Sequence, residues 1–199
     1  MLKRGYIFAA FLLLGGCSEQ SDGTNLTPYL AMTAAKTSGN HSTTSGEKDT
    51  PMFRSIEDNL IVSPQISLAD VAAAKAQGVT VIVNNRPDGE DPSAPQSADI
   101  AAAAKAAGIA YISIPVTHAG FGRPQIDAMQ AALDQAQGGK MLAYCRSGTR
   151  STLLWALSQA AKGESPRVIA AKAADAGYDV APISMMLDTL SGAAKAGQN

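Results

Sequence analysis

Cysteine and histidine are scarce in this 199-residue chain, which has two of each: Cys17 and Cys145, His41 and His118. One cysteine and one histidine in the folded part cannot by themselves make a zinc site, so no metal is expected, and no cofactor. Charge of one sign is scarce too. The formal charge is −1, with no long lysine or arginine run, which argues against nucleic acid, because phosphate-backbone binding needs a clustered basic face. The N-terminal hydrophobic run, Tyr6 to Leu14, falls short of the ~20 residues that cross a bilayer. What is present is 46% hydrophobic residues, enough for one compact core acting on small substrates or another protein.

Lys3 and Arg4 precede that run, and it breaks at Gly15-Gly16-Cys17. This is the pattern of a cleaved export signal. Leu14-Gly15-Gly16-Cys17 resembles the bacterial lipobox. The resemblance implies a lipoprotein signal peptide over residues 1–16, with Cys17 as the lipidated first mature residue and membrane contact through that anchor only. Ser18, where no aspartate stands, fits outer-membrane sorting in the lipoproteins it resembles. The expected location is the bacterial cell envelope, facing the periplasm.

Residues 17–51 are rich in Ser, Thr, Gly and Asn and cannot bury enough surface to order themselves, so they read as a flexible tether with His41 solvated in it. The folded domain is expected over 52–195. With Cys17 lipidated, Cys145 has no intramolecular disulfide partner in an oxidising compartment, and a lone thiol there asks for a reason.

After Phe53, short apolar runs alternate with alanine-rich helical segments. Asn59–Val62, Val79–Asn84, Ile109–Val116 and Lys140–Tyr144 read as strands. Helices are expected from Ser67, a plausible N-cap, to Ala76, and over Gln96–Ala107, Pro124–Ala136, Arg150–Lys162, Pro166–Ala176 and Pro182–Ala194. This alternation predicts an α/β domain with a mostly parallel, four-stranded central sheet flanked by helices. Leu153, Leu154, Trp155 and Leu157 are expected in the core, and Met185, Met186 and Leu187 as packing for the last helix.

In such a sheet, ligands bind beyond the carboxyl ends of the strands. The loops there hold Arg86, Asp88, His118, Arg123 and the segment Cys145-Arg-Ser-Gly-Thr-Arg150. In the last loop, amides from Arg146, Ser147, Gly148 and Thr149 through Arg150 can point inward around an anion, aided by the positive end of the following helix. Arg150 can fork two donors onto an oxyanion. The same field favours a Cys145 thiolate. Gly148 frees the backbone to turn, Ser151 can donate to the sulfur, and Arg146 faces solvent or guards the mouth.

Cys145-Arg-Ser-Gly-Thr-Arg-Ser151 after a strand resembles the active loop of both the dual-specificity phosphatases and the rhodanese sulfurtransferases. A wider set sharpens this: Gly78-Val-Thr-Val-Ile-Val-Asn-Asn-Arg-Pro-Asp-Gly-Glu90, Ile114-Pro-Val-Thr117, Leu154-Trp-Ala-Leu157 and Ala176-Gly-Tyr-Asp179. Together they resemble the phosphatase-like domain of the beta-lactamase hydrolase-like proteins over roughly Phe53 to Leu190. The resemblance implies a dual-specificity-phosphatase-like fold with its site on Cys145 and Arg150.

Three departures from the phosphatase pattern bear on the reaction. Four residues, not five, separate Cys145 from Arg150; Tyr144 stands where a histidine is usual; and Thr117 and His118 stand where an aspartate acid is usual. Asp88, Glu90, Asp91 or His118 could supply the proton, and each also has a plain reading as a turn or loop residue. Sulfur transfer to a Cys145 persulfide needs no such acid. The fold resemblance favours a phosphatase-like hydrolase, and the loop length a sulfurtransferase fed by a sulfane-sulfur donor. A non-catalytic envelope module binding a small anion is the third reading.

Overall fold

The computed structural model describes residues 53–136 and 138–197; the expected signal peptide, the tether with His41 and the lipidation site Cys17 lie outside the described residues. Five strands form one sheet: β1 (Arg54–Glu57), β2 (Leu60–Ser63), β3 (Val79–Asn84), β4 (Ala110–Ser113) and β5 (Lys140–Tyr144). Their order is β1-β2-β5-β3-β4. The four strands read from the sequence are mutually parallel, with β5 between β2 and β3. The four-strand expectation is corrected by β1, which pairs antiparallel to β2 across the Asp58-Asn59 turn. In its four residues only Ile56 is buried, so alternation alone gives too short a signal to register; pairing makes it a strand.

The period of two sorts the sheet into two faces. Leu60, Val62, Val81, Val83, Met141 and Ala143 join one core, while Ile61, Ile82, Leu142 and Tyr144 join the other. Helices α1 (Leu68–Ala76) and α2 (Ser97–Ala106) cover the second face. Helices α3 (Arg123–Gln135), α4 (Thr149–Ala161), α5 (Pro166–Asp175) and α6 (Ser184–Ala196) cover the first. Right-handed crossovers explain the division. The chain steps from β2 through β3 to β4 in one direction with α1 and α2 on one side. It then returns through α3 to β5, and the reversal throws the later helices to the opposite side.

Local chemistry starts the helices. Ser67 caps α1 reciprocally: its hydroxyl accepts from the Asp70 amide at 3.4 Å and the Asp70 carboxylate accepts from the Ser67 amide at 2.7 Å. Helix α4 is buried nearly all round, Leu154, Trp155 and Leu157 fully so, as befits a helix enclosed by α3, α5 and α6. Truncating Trp155 to alanine would leave a cavity costing about 3–5 kcal/mol.

The last helix departs from expectation. Leu187 is buried, but Met185 is 82% exposed and Met186 39%. Consecutive residues on a helix point about 100° apart, so three in a row cannot share one face.

Candidate active site

The strand order decides where a site can form. Adjacent strands β5 and β3 send their chains to helices on opposite faces, which opens a crevice beyond their carboxyl ends. A cleft of about 580 Å³ lies there, lined by Pro87 to Glu90, Val116 to His118, and Arg146, Ser147 and Arg150. All three loops singled out from the sequence contribute to it. Asp88, His118, Arg146 and Ser147 line it. Arg123 does not: it starts α3 and pairs with Asp127 at 2.9 Å.

Cys145 follows the central strand and is fully buried. It is no part of the cleft wall, although its loop neighbours Arg146, Ser147 and Arg150 are. The Gly148 amide donates to Cys145 Sγ at 3.1 Å. Gly148 holds φ +88°, a left-handed conformation that a side chain resists, and this turn brings its amide back onto the sulfur. Its carbonyl then accepts from the Thr152 amide at 3.0 Å and the Thr152 hydroxyl at 3.1 Å, which seats the first turn of α4. Ser147 and Thr149 join hydroxyls at 3.1 Å on the exposed side of the loop. The Ser151 hydroxyl is buried beside this loop without a hydrogen-bond partner.

Arg150 is held from two directions. Nη1 and Nη2 meet the two oxygens of Glu90 at 2.7 and 2.8 Å, and Nη1 also donates to the Val116 carbonyl at 3.0 Å. A guanidinium carries five N–H groups. The end-on edge and the outer hydrogen of Nη1 are thus committed, so the Nε–H and one Nη2–H, which lie side by side, are the donors through which Arg150 meets the neighbouring Cys145. That remaining edge has the geometry of a bidentate oxyanion contact. Burial works against the charge of Arg150, but Glu90 and the neighbouring Cys145 outweigh it and hold the guanidinium more firmly protonated than usual.

Glu90 is the centre of the arrangement and stood in the sequence only as one of several possible acids. It also accepts from Arg86 Nε at 2.9 Å. Arg86 is itself buried, 8% exposed, and reaches Gln65 at 2.8 Å and Asp91 at 3.4 Å. The end of β3 builds this: the Asn84 side chain accepts from the Arg86 amide at 2.8 Å, and Asn85 ties the loop to Ile114 at 3.0 Å. Arg150 first, then Arg86, hold the Glu90 carboxyl below its usual range. A carboxyl so held stays ionised and is a poor proton donor, so Glu90 orients Arg150 instead of acting as an acid. The alternation Arg86-Pro-Asp-Gly-Glu90, with two charges of opposite sign four residues apart, is the signal that could have found the pair.

Asp88 has a structural task as well, accepting from the Ser97 amide at the start of α2 at 2.7 Å. His118 is exposed at the cleft wall. Tyr144, in the position before the cysteine, is buried, and burial pushes its hydroxyl far above the usual phenol range. It is thus a neutral wall where the resembling phosphatases have histidine. Among the described residues no group of three or more His, Cys, Asp or Glu side chains is placed to hold a metal ion.

A thiol held by a backbone amide between a central parallel strand and a buried helix, with an arginine five positions on, defines an α/β domain with an anion-binding cysteine loop. The family model for the phosphatase-like domain of beta-lactamase hydrolase-like proteins matches residues 52–162, and the chain belongs to that family. The beta-lactamase hydrolase-like protein of Agrobacterium fabrum is 37% identical over 112 residues, covering 56% of this chain and 26% of the relative. That of Xylella fastidiosa is 36% identical over 112 residues with the same coverage. The chain therefore spans about a quarter of the length of these curated relatives.

Among solved structures, a putative phosphatase from Neisseria meningitidis matches with a TM-score of 0.61 at 30% identity, covering 69% of this chain and 97% of that one. A mouse putative dual specificity phosphatase matches with a TM-score of 0.53 at 20% identity over 78% of this chain and 95% of that one, a likeness of fold.

Proposed function

We propose that this domain is a cysteine-dependent hydrolase of phosphate esters, with Cys145 as nucleophile and Arg150 as the anion clamp. The observation that carries the reading is the convergence on Cys145 of two donors, the Gly148 amide at 3.1 Å from Sγ and the Arg150 guanidinium, which Glu90 holds from its far edge. An oxyanion bound on the edge facing Cys145 lies at the positive end of α4, where amides and the helix dipole favour negative charge. The thiolate attacks phosphorus, an S–P bond forms as the P–O bond to the leaving group breaks, and water later releases phosphate from sulfur. Ser151, with its uncommitted hydroxyl, donates to the sulfur as it leaves. Because the sulfur is buried, the substrate must open the loop as it enters.

Asp88 and His118 line the cleft and are the groups available to protonate the leaving oxygen. Such a proton contributes about two to four orders of magnitude where it is used. Sulfur transfer is the second reading, supported by the four-residue spacing between Cys145 and Arg150. There the thiolate attacks the outer sulfur of a sulfane donor, the S–S bond breaks, sulfite leaves from thiosulfate, and no proton is required. In either reading we place the domain at the cell envelope, tethered through Cys17, on the support of Leu14-Gly-Gly-Cys17.

One experiment separates the readings. The protein lacking residues 1–50 is exposed to an aryl phosphate in one tube and to thiosulfate in another. Phosphate release that is abolished in Cys145→Ser supports the hydrolase. One sulfur atom added to Cys145, seen by intact mass without phosphate release, overturns it in favour of the transferase. Anion binding with neither outcome leaves a binding module.

A further inference from the structure

Two hydroxyls beside the Cys145 loop are buried and lack hydrogen-bond partners: Ser151, in the loop's own helix, and Tyr178. Tyr178 comes from a different part of the chain, the turn that follows α5, where Gly177 takes φ +79° and the Asp179 carboxylate accepts from the Ala181 amide at 2.8 Å. That turn delivers the phenol onto Gly148. A Cβ at position 148 would overlap the Tyr178 hydroxyl, so the hydroxyl lies against the residue whose amide already holds the sulfur. The ring also meets a cation. The Arg54 guanidinium stands 5.2 Å from the ring centroid and donates to the Ala176 carbonyl at 3.2 Å.

A buried hydroxyl that makes no hydrogen bond is unfavourable unless another state of the protein uses it. We propose that Tyr178 is a positioning residue for the nucleophile, its hydroxyl donating to the Cys145 sulfur when the sulfur carries negative charge. The inference rests on Cys145 acting as a thiolate and extends that reading to a residue outside the loop. Burial keeps the phenol protonated above its usual range against the pull of Arg54, and the Cys145 charge adds to this, so Tyr178 approaches the sulfur as a donor and not as a second anion. The other charged groups around the sulfur are Arg150 from α4, Glu90 beyond Arg150, and Arg54 beyond the ring. Gly148 is consequently required twice, for its backbone conformation and for the space the hydroxyl takes.

The test is Tyr178→Phe in the full chain, which keeps the ring under Arg54 and removes only the oxygen. Alkylation of Cys145 by a small haloacetamide is followed across pH by peptide mass, so that Cys17 is read separately. Loss of a donor to a charged sulfur is expected to slow alkylation about tenfold near neutrality, with the rate recovering at higher pH. A variant profile that superimposes on the wild type, when the wild type reacts at lower pH than an ordinary thiol, overturns this inference alone. A wild-type profile like that of an ordinary thiol overturns the nucleophile reading with it.

Discussion

Glu57 and Glu90 sit at opposite ends of the sheet's parallel strands and are alike in exposure, 24% and 26%, and each holds a basic side chain at 2.7 Å. Glu57 ends β1, binds Lys172 of α5 and accepts from Trp155 Nε1 of α4 at 3.4 Å. It joins the edge hairpin to two helices, and nothing in the contact is directional beyond that. Glu90 binds Arg150, and the partner's shape changes the consequence. An ammonium is a compact charge, whereas a planar guanidinium fixed along one edge must present its other edge in a definite direction. The same kind of ion pair is therefore a brace at Glu57 and an aiming device at Glu90.

This contrast is broken most directly by truncating each carboxylate. Glu90→Ala frees Arg150 to rotate away from the sulfur and leaves it facing Arg86, and misplacement of a substrate-binding group by about 1 Å costs on the order of 100-fold. We expect phosphate release, measured as kcat/KM, to fall by about that factor, with a lowered thermal midpoint as well, because the ionised carboxylate no longer offsets Arg86 and Arg150. The aiming role does not survive a variant that keeps its activity and loses its stability.

Glu57→Ala is expected to lower stability alone. Its contact is screened by solvent, so the loss is about 1 kcal/mol of unfolding free energy, read from denaturant curves, with kcat/KM unchanged. An activity loss matching that of Glu90→Ala would erase the distinction.

The smallest effect is on pH dependence, where the two pairs act at opposite ends. Glu90 is held below its usual value of 4.5 by Arg150, so its contribution is complete above that value and is lost as pH falls through the depressed folded pKa. Lys172 is held above its usual value of 10.5 by Glu57, so that contribution is complete below it and is lost as pH rises through the elevated one. Denaturant midpoints followed into acid should fall less in Glu90→Gln than in the wild type, and midpoints followed into alkali should fall less in Glu57→Gln. Matching slopes in variant and wild type would remove the linkage.

Much of the frame could be read in advance because it is local. Val79-Thr-Val-Ile-Val-Asn84 is a strand at the expected bounds, and Ser67 caps α1 through Asp70 as serine at that position should. Cys145, Gly148 and Arg150 come together because four intervening residues on a strand-to-helix turn leave few other arrangements. Arg54-Ser-Ile-Glu57 and Met185 escaped, since their state depends on which neighbour lies alongside. Glu90 escaped for the same reason. Its partner Arg150 is 60 residues away in the chain, and a carboxylate in a Pro-Asp-Gly-Glu turn looks like many others.

The sequence by itself determined the alternation of strands and helices, the phosphatase-like family and the loop that carries the thiol, since these rest on periodicity, turn chemistry and short spacing. Tertiary structure alone decided that β5 lies between β2 and β3, and hence that the loops after β3, β4 and β5 meet over one cleft. It also decided that Glu90 aims Arg150 and that Tyr178 rests on Gly148. Contacts between residues far apart in the chain follow from how the sheet is ordered and packed, and no local pattern of residues encodes that order.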